Sequence, residues 1–561
     1  MRIAVVGGGA TAALFTAQAA RMAAARGTRA EVVVIDPTVG TPAMWRGVAY
    51  AAQLPIHTLN VHAGRVSAWS DDPLDFVRYV NSEKLGVDEA EATTDGDAAA
   101  WLPPTGDEMA GRHDGSRPVT ASDFLPRAWM GDYLQATVEA TVEAATPRLG
   151  LTQIRGSVID VEAPEAAFES SQRGTARVIV ATAGETVGVT AVEADHVILA
   201  TGNQAATLEC VPPIDGSVRD IRRSAVVDPW SEAGRRRLAA IDPTESVLLV
   251  GTRHTMLDVA LELLDSRLDM APASDGATGD RRASPVGKIT AFSRTGLLPA
   301  THLPDIADPH SPPAVTMDDF LDSDGAVVPL DDLVARVCAR VEAAKAAEQA
   351  GDATAVPWQR IMDGVHLVSN DLWLRMSAAD RDRFLSSPLF GEHQLLRHRS
   401  APVARRIVDT AIERGLMEIV SGDAVAASRL GQSEVRFVFE TSDEKLADEA
   451  AAVAGGFEAT VPRAFVDADW LINCTGPDMD YGSDRVGHIV KTLRSKGLLR
   501  PHASRLGIDA DPETYAVLDA AGEPQPWLST IGPTLKGSLL EVLAISEIRG
   551  FAERLAGRLV A

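Results

Sequence analysis

Short apolar runs and helical stretches alternate at the start of the chain. Residues 2–6 (RIAVV) form an apolar run, a cluster of three glycines follows, and residues 11–26 have the Ala-rich composition of a helix. A second apolar run at 31–35 ends at Asp36. Short strands that are hydrophobic at successive positions are typical of a parallel sheet covered on both faces. The pattern therefore predicts a β-α-β unit at the start of the chain.

The same order of elements returns in the middle of the chain. An apolar run leads to Gly251, a helix is predicted at 255–266, and a strand follows at 288–293. Residues 316–400 have mostly helical patterns, and the last helix is expected at 540–559. We predict an α/β fold with two dinucleotide-binding, Rossmann-like domains built on parallel sheets, plus a helical insertion.

Two polar segments interrupt this pattern. Residues 81–118 are acidic and rich in Gly and Pro, and residues 271–286 combine small, polar and charged residues. Segments of this composition cannot bury enough apolar surface to form a core, so we predict excursions on the surface.

Size, charge and cysteine content narrow the functional classes. A chain of 561 residues is too long for a single core, so two or three domains are expected. The net charge of −25 argues against nucleic acid or an anionic membrane as the partner, since both require a basic surface. Three cysteines without a close pair exclude the dithiol reductases and indicate a cytoplasmic setting. The apolar start carries Arg21 and Arg26, so we expect neither a cleaved leader nor a membrane span.

The glycine cluster carries the first functional prediction. Residues 7–12 fit the pattern G-x-G-x-x-G/A directly after a strand and at the start of a helix. Gly7 permits a tight turn, Gly9 lets the backbone approach a pyrophosphate, and Ala12 keeps the helix close to the sheet. Asp36 is placed to accept hydrogen bonds from a ribose hydroxyl. We predict a dinucleotide site here, in preference to a glycine turn that only connects two elements.

Later segments favour FAD as the dinucleotide. Ala200-Thr201-Gly202 after an apolar strand resembles the ATG turn of flavoproteins with two dinucleotide domains, and Cys474-Thr475-Gly476 repeats it. Gly532, before a helix, stands where such proteins bring a segment against the flavin. The further residues that we expect to contact the cofactor are Val158, Thr201, Gly202, Thr475, Gly476 and Gly532.

The second strand-turn-helix unit departs from the glycine pattern. Gly251 remains, but Arg253 and Met256 occupy the other two positions. A dinucleotide can still bind there, because Arg253 adds charge that a glycine lacks. Arg294, at the end of the next strand, stands where an arginine would meet the 2′-phosphate of NADPH, which favours NADPH over NADH. Two alternatives stay open: Arg294 is a solvated surface charge, or the site has lost nicotinamide binding.

The chain also resembles a known family over nearly its full length. The residues that carry the resemblance are the cluster 7–9, the segments 47–50 (GVAY), 59–65 (LNVHAGR), 71–73 (DDP), 124–127 (FLPR), 131–134 (GDYL), 293–299 (SRTGLLP), 397–399 (RHR), 401–402 (AP) and 474–477 (CTGP), and Gly532, Pro533 and Gly537. Together they resemble the FAD/NAD(P)-binding flavin monooxygenases that include urate hydroxylases of the HpyO type and flavin-dependent nitrosuccinate synthases. One departure is His62, where the family is expected to have proline.

The resemblance implies that segment 60–65, which starts at Asn60, lies near the isoalloxazine ring of the flavin. Arg65 then becomes a catalytic candidate that stabilises the reduced flavin anion, with Lys536 as a second candidate. The alternative for Arg65 is a structural ion pair with Asp71 or Asp72.

A basic cluster near the end of the helical stretch has two interpretations. His393, Arg397, His398 and Arg399 are placed either to meet an anionic substrate or NADPH phosphate, or to form a solvated basic face at the end of an amphipathic helix. We favour the solvated face.

The sequence lacks a nucleophilic triad, a P-loop and a zinc-ligand spacing, so the flavin is expected to carry the reaction. The leading hypothesis is an NADPH-dependent FAD monooxygenase that acts with dioxygen on a small, polar, nitrogen-containing metabolite, by N-hydroxylation or ring hydroxylation. The alternatives are a flavin oxidase or dehydrogenase, and a non-catalytic FAD-binding redox partner. We expect the FAD domain at 1–240 and 465–561, and the NAD(P) domain at 241–464 with the helical insertion at about 316–400.

Overall fold

A computed structural model provides the structure of the chain. It describes residues 1–51, 54, 56–86, 118–164, 174–183, 188–207, 224–270, 286–303, 313–352, 354–430, 434–443 and 463–561. Most of the two predicted surface excursions, and Cys210, lie outside these residues.

The described strands form three sheets. The strands are β1 Arg2–Val6, β2 Ala30–Asp36, β3 Leu149–Glu162, β4 Ala176–Thr182, β5 Gly188–Ala194, β6 His196–Leu199, β7 Ala225–Val226, β8 Val247–Val250, β9 Ile289–Ser293, β10 Met417–Ser421, β11 Asp423–Leu430, β12 Glu434–Glu440, β13 Arg463–Ala468, β14 Trp470–Asn473, β15 Ala516–Leu518 and β16 Pro524–Thr530. The described helices are α1 Ala10–Arg26, α2 Gly47–Tyr50, α3 Asp75–Tyr79, α4 Arg127–Ala145, α5 Glu232–Leu238, α6 His254–Met270, α7 Leu330–Gln349, α8 Trp358–Arg375, α9 Ala378–Ser386, α10 Pro388–Arg397, α11 Pro402–Glu413, α12 His488–Ser495 and α13 Ile545–Leu559.

The first sheet has β1 near its centre. Its order is β15-β16-β6-β1-β2-β3-β4-β5, with β16, β6, β1, β2 and the first half of β3 parallel to their neighbours. Helices α1, α4 and α13 contribute to the hydrophobic core on one face, and α12 contributes to the core on the other. The predicted doubly covered parallel sheet is therefore confirmed, and its central strands β1 and β6 are buried at almost every position.

The second sheet is parallel throughout, in the order β10-β9-β8-β14-β7. Because β14 pairs with β8, residues 470–473 belong to this sheet and not to the first one. The short strand β7 joins it as well. The second sheet therefore extends beyond both expected domain boundaries. Strand β7, before residue 240, and strand β14, after residue 464, belong with this sheet in the second structural unit.

The remaining elements cover the second sheet and the space between the two units. Helices α6 and α11 pack on one face, and the antiparallel sheet β11-β12-β13 covers the other. Helices α7, α8, α9 and α10 all lie within residues 316–400, and a separate hydrophobic cluster there involves α7, α8 and α10. Ile56 and Phe124 from the first unit join the core of the second. Among the described helices, none combines the length and apolar composition needed to cross a bilayer.

Candidate functional site

The turn after β1 packs directly on the exit of β6. Gly7 has a φ angle of +116°, and a Cβ atom at this position would overlap the carbonyl oxygen of Ala200. The Gly7 N–H donates to the carbonyl of Ile35 at 3.0 Å, and the Ala200 N–H donates to that of Val6 at 2.9 Å. The ends of β1, β2 and β6 therefore meet around a residue without a side chain. The predicted contacts Gly7, Thr201 and Gly202 lie at this one edge.

Helix α1 begins at the same edge with an amino end that suits an anion. Its first turn has neither an acidic residue nor a side-chain cap at Gly9. A Cβ atom on Gly9 would lie 3.2 Å from the Cα atom of Gly47, so two backbones approach closely here. Ala12 is fully buried against the core. Uncapped N–H groups at the positive end of the helix dipole favour a phosphate.

Hydrogen bonds from backbone N–H groups orient the side chain of Asp36 toward the glycine turn. Its carboxylate accepts hydrogen bonds from the N–H groups of Gly8 and Thr38, both at 2.7 Å. A carboxylate has further lone pairs, so the predicted hydrogen bond from a ribose hydroxyl is compatible with these contacts.

Residues 530–532, near the C-terminus, pack beside the exit of β6 at the same edge. The Thr530 hydroxyl and the Ile531 N–H both donate to the carbonyl of Leu199, at 3.1 and 3.2 Å. Gly532 follows with a φ angle of +84°, and a Cβ atom there would lie 2.8 Å from Oγ1 of Thr11 in α1. Gly532 therefore lies at the start of α1, and its approach to the flavin stays a prediction.

One buried hydroxyl at this edge lacks a hydrogen-bond partner in the part of the chain that the structure describes. The Oγ1 atom of Thr201 is buried and makes no hydrogen bond among the described residues. Buried polar atoms are normally paired, so an orphan hydroxyl beside the uncapped helix fits a bound group such as FAD. Val158, in contrast, packs its buried side chain into the core where β3 pairs with β4.

The second sheet repeats the first turn. Gly251 has a φ angle of +119°, and a Cβ atom there would overlap the carbonyl oxygen of Cys474. Gly251 thus takes the place of Gly7, and the exit of β14 takes the place of the exit of β6. Thr475 and Gly476, which we expected at the FAD site, lie at the carboxyl edge of the second sheet.

Two arginines lie at this second edge. Arg253 and Arg294 are both exposed, and they are close enough to interact electrostatically. Partial burial and then the charge of Arg294 lower the pKa of Arg253, which as a guanidinium stays protonated. The Thr252 hydroxyl joins the two turns, because its Oγ1 lies 2.9 Å from Oγ of Ser293. The predicted residues Gly251, Arg253 and Arg294 therefore share one edge.

Arg127 connects the segment near Asn60 to the second unit. Its Nε donates to the carbonyl of Thr58 at 2.8 Å, and its Nη2 donates to Oδ1 of Asn60 at 3.1 Å. Its Nη1 pairs with Asp258 on α6 at 2.5 Å, and both side chains are nearly buried. Arg127 thus connects the segment at Asn60, which is predicted to lie near the flavin, with helix α6. The sequence offered no indication of this pair, since the two residues are 131 positions apart.

Arg65 has a different partner from the two that we considered. Asp71 pairs with Arg21 and Asp72 pairs with Arg78, whereas Arg65 pairs with Asp363 on α8 at 3.0 Å. Arg65 therefore forms the kind of ion pair considered as its alternative, but Asp71 and Asp72 were the wrong partners because tertiary packing brings α8 to this loop.

Asp363 also pairs with Arg399, whose side chain is only 3% exposed. Burial alone would raise the pKa of Asp363, but the charges of Arg65 and Arg399 and their hydrogen bonds bring it down to about 2. The carboxylate is therefore ionised at neutral pH between two arginines.

Two neutral histidines border this ion-pair group. The ring centroids of His62 and His302 are 5.2 Å apart, and both side chains are buried. Burial, followed by the charge of Arg65, lowers the pKa of His62 to about 4. Burial, followed by the charge of Arg399, holds the pKa of His302 well below its ordinary value. His62 donates from Nε2 to the carbonyl of Leu303 at 3.0 Å, so its Nδ1 is a buried acceptor, and this atom has no hydrogen-bond partner among the described residues.

The basic cluster at the end of α10 is a buried ionic group and not a solvated face. Glu541 lies 3.2 Å from Nε2 of His393 and 3.8 Å from Nε of Arg397. Glu547 lies 2.9 Å from Nε2 of His366. The predicted solvated face was wrong, because the C-terminal segment brings two carboxylates against this helix.

Lys536 belongs to the same buried group. Its ammonium donates to the carbonyl of Leu540, and burial lowers its pKa while Glu541 opposes that effect. Its predicted role near the flavin stays a prediction.

His62 provides a pH test of this site. Because its pKa in the folded state is about 4 and that of an unfolded histidine is about 6.5, the unfolded chain binds more protons between these values. This contribution to stability is present above pH 6.5 and is lost as the pH falls. His62→Gln should therefore reduce the loss of stability between pH 7.5 and 5 by about 2 kcal/mol.

The measurement is chemical unfolding at the two pH values. His488→Gln, at an exposed position, is the control and should keep the wild-type pH dependence. An equal loss of stability in His62→Gln and in the wild type would contradict the buried neutral state.

Comparisons with known proteins agree with this geometry. Residues 4–204 match the family model described as FAD-NAD(P)-binding. A search of curated proteins finds no match to the sequence.

Solved structures of similar fold cover the whole chain. The ornithine hydroxylase PvdA of Pseudomonas aeruginosa in its reduced form has a TM-score of 0.55 at 12% identity, covering 100% of this chain and 98% of that one. The FAD-bound cadaverine monooxygenase DfoA of the desferrioxamine biosynthetic pathway of Erwinia amylovora has a TM-score of 0.55 at 11% identity, covering 99% and 92%. The chain thus contains an FAD-NAD(P)-binding region at residues 4–204 within the fold of a two-domain dinucleotide-binding flavoprotein.

Proposed function

We propose that the protein is an FAD-dependent, NADPH-using monooxygenase that hydroxylates a small, polar, nitrogen-containing metabolite. The observation that carries the proposal is the repeated turn: Gly7 against Ala200 and Gly251 against Cys474, each at the carboxyl edge of a parallel sheet. Ligands of open parallel sheets bind at this edge. One turn serves FAD in the first unit, and the other serves NADPH in the second.

The first edge has the groups that FAD requires. The amino end of α1 receives the pyrophosphate, Asp36 accepts from the ribose, and the orphan hydroxyl of Thr201 bonds to the cofactor. The bound flavin supplies the redox chemistry between NADPH, dioxygen and substrate. The chain contributes orientation, charge and exclusion of water.

The second edge recognises the nucleotide by charge. Arg294 follows β9, which is the second strand of its β-α-β unit, and this is the position that meets the adenosine ribose. Its exposed guanidinium would bind the 2′-phosphate, with Arg253 beside it. The same geometry supports NADPH over NADH.

We assign the contacts with the substrate to the loop at residues 60–65. The family resemblance implies that this loop lies near the isoalloxazine ring, and the neutral imidazoles of His62 and His302 and the ion pairs of Asp363 lie beside it. Nδ1 of His62 is an acceptor available to a substrate N–H, and Arg65 supplies positive charge. The two similar structures named above are an ornithine hydroxylase and a cadaverine monooxygenase, which supports hydroxylation at nitrogen.

One observation favours a second candidate, a flavin-binding protein without nicotinamide chemistry. Arg253 occupies the position at which Gly9 lets a backbone approach closely, and its guanidinium lies 3.4 Å from the carbonyl of Gly391. A side chain at this position excludes the approach of a pyrophosphate to the backbone.

Anaerobic stopped-flow mixing separates the two candidates. The purified yellow protein is mixed with NADPH or NADH, and the loss of flavin absorbance is followed. Rapid bleaching with a preference for NADPH supports the monooxygenase and justifies a screen of amine substrates. Bound FAD that neither nucleotide reduces would exclude the NADPH-using monooxygenase and leave a flavin oxidase or a non-catalytic flavin-binding protein.

Arg294→Ala tests the nucleotide assignment. Removal of one charge-assisted bond to the 2′-phosphate should raise the KM for NADPH about tenfold, with little change for NADH. Arg406→Ala, at an exposed position on α11, is the matched control. Equal effects of Arg294→Ala on both nucleotides would exclude the 2′-phosphate role.

Gly9→Val tests the FAD site. The φ of Gly9 is −86°, so a side chain is tolerated by the backbone, but it would fill the space of the pyrophosphate and press on Gly47. The purified variant should be colourless with a wild-type far-UV circular dichroism spectrum. Gly150→Val on β3, where an added Cβ makes only ordinary contact, is the control and should stay yellow. A fully yellow Gly9→Val protein would disprove the assignment.

A further inference from the structure

Helix α10 (Pro388–Arg397) is tied to the second nucleotide turn. Nη2 of Arg253 donates to the carbonyl of Gly391 at 3.4 Å. The next residue, His254, donates from Nε2 to the carbonyl of Arg399 at 2.9 Å, two residues after the helix ends. The position that departs from the glycine pattern is therefore the one that contacts this helix.

The same helix contacts the C-terminal segment. His393 lies 3.2 Å from the carboxylate of Glu541, and Arg397 lies 3.8 Å from it. The Lys536 ammonium lies 5.8 Å from the ring centroid of Phe390. These contacts are almost fully buried, so movement of α10 changes the surroundings of Glu541 directly.

The C-terminal segment in turn reaches the first nucleotide turn. Asn370 on α8 accepts hydrogen bonds from the N–H groups of Leu540 and Glu541, at 2.9 and 2.8 Å. Nine residues before Glu541, Gly532 packs against Thr11 at the start of α1. The connection thus runs from Arg253 through contacts of α10 to Glu541, and then along nine residues of chain to Gly532 at the FAD edge.

The contact between Arg253 and Gly391 is long for a hydrogen bond and lies at the surface. A nucleotide phosphate would offer the same guanidinium shorter, charge-assisted bonds. Nucleotide binding therefore favours exchange of the Gly391 carbonyl for phosphate, which removes the contact between Arg253 and α10 while His254 stays bonded to Arg399.

We propose that Arg253 is a positioning residue: on binding NADPH it releases Gly391, and helix α10 transmits this through His393 to Glu541 and the segment at the FAD edge. The link rests on the proposed use of NADPH. Through this link, the C-terminal segment at the FAD edge responds to NADPH binding at the second nucleotide turn.

Hydrogen–deuterium exchange of the FAD holoenzyme tests the link without turnover. NADP⁺ is added as the non-reducing probe, and the peptide that covers residues 538–544 is followed. Release of α10 should speed exchange of this peptide about fivefold, at the lower end of typical coupling between sites. NADP⁺ binding is measured in parallel by calorimetry.

Two variants locate the path. Arg253→Gly should exchange rapidly at 538–544 before NADP⁺ is added and should show no further change. His393→Ala should bind NADP⁺ but lose the response of the peptide. Arg383→Ala, which removes an exposed ion pair with Asp331 in the same helical region, should respond as the wild type does.

The outcomes separate the two proposals. NADP⁺ that binds the wild type without changing exchange at 538–544, or a response that survives in His393→Ala, overturns the link alone. Absence of NADP⁺ binding to the wild type overturns the NADPH proposal and the link with it.

Discussion

The site depends on two places where a carbonyl oxygen occupies the space of a side chain. The carbonyl of Ala200 lies where Gly7 would carry a Cβ atom, and the carbonyl of Cys474 does the same at Gly251. Both glycines have φ angles near +120°, a region that L-residues rarely adopt. This close packing brings the ends of neighbouring parallel strands together, so that the first residues of the following helix lie at the carboxyl edge.

The two turns differ in what approaches them. At the first, Gly9 leaves room beside Gly47 and the amino end of α1 is uncapped. At the second, Arg253 fills the equivalent position, so a ligand would meet an exposed positive charge and not bare backbone.

Pairs of charged and polar side chains, buried or partly buried, fix the relative position of the elements around these turns. Arg127 with Asp258, Arg65 with Asp363, and His393 with Glu541 each join segments more than a hundred residues apart. Burying a charge costs solvation energy, and the attraction between the partners offsets this cost only in good geometry. Such pairs add little net stability, but loss of one partner leaves a buried charge, so they enforce one arrangement of the chain.

The order of amino acids alone predicts the strands, turns and helices that depend on neighbouring residues. The apolar runs, the glycines and the alanine at position 12 predicted both strand-turn-helix units, because strand burial and turn geometry follow from neighbouring residues. The last helix was predicted from 540, yet it begins at Ile545, because residues 540 and 541 bond to Asn370 instead. Tertiary packing alone shows that β14 joins the second sheet, that Arg65 pairs with Asp363, and that His393 and Arg397 are buried against Glu541. These contacts join residues distant in the chain, and charge pairing between such residues leaves no periodic pattern in the sequence.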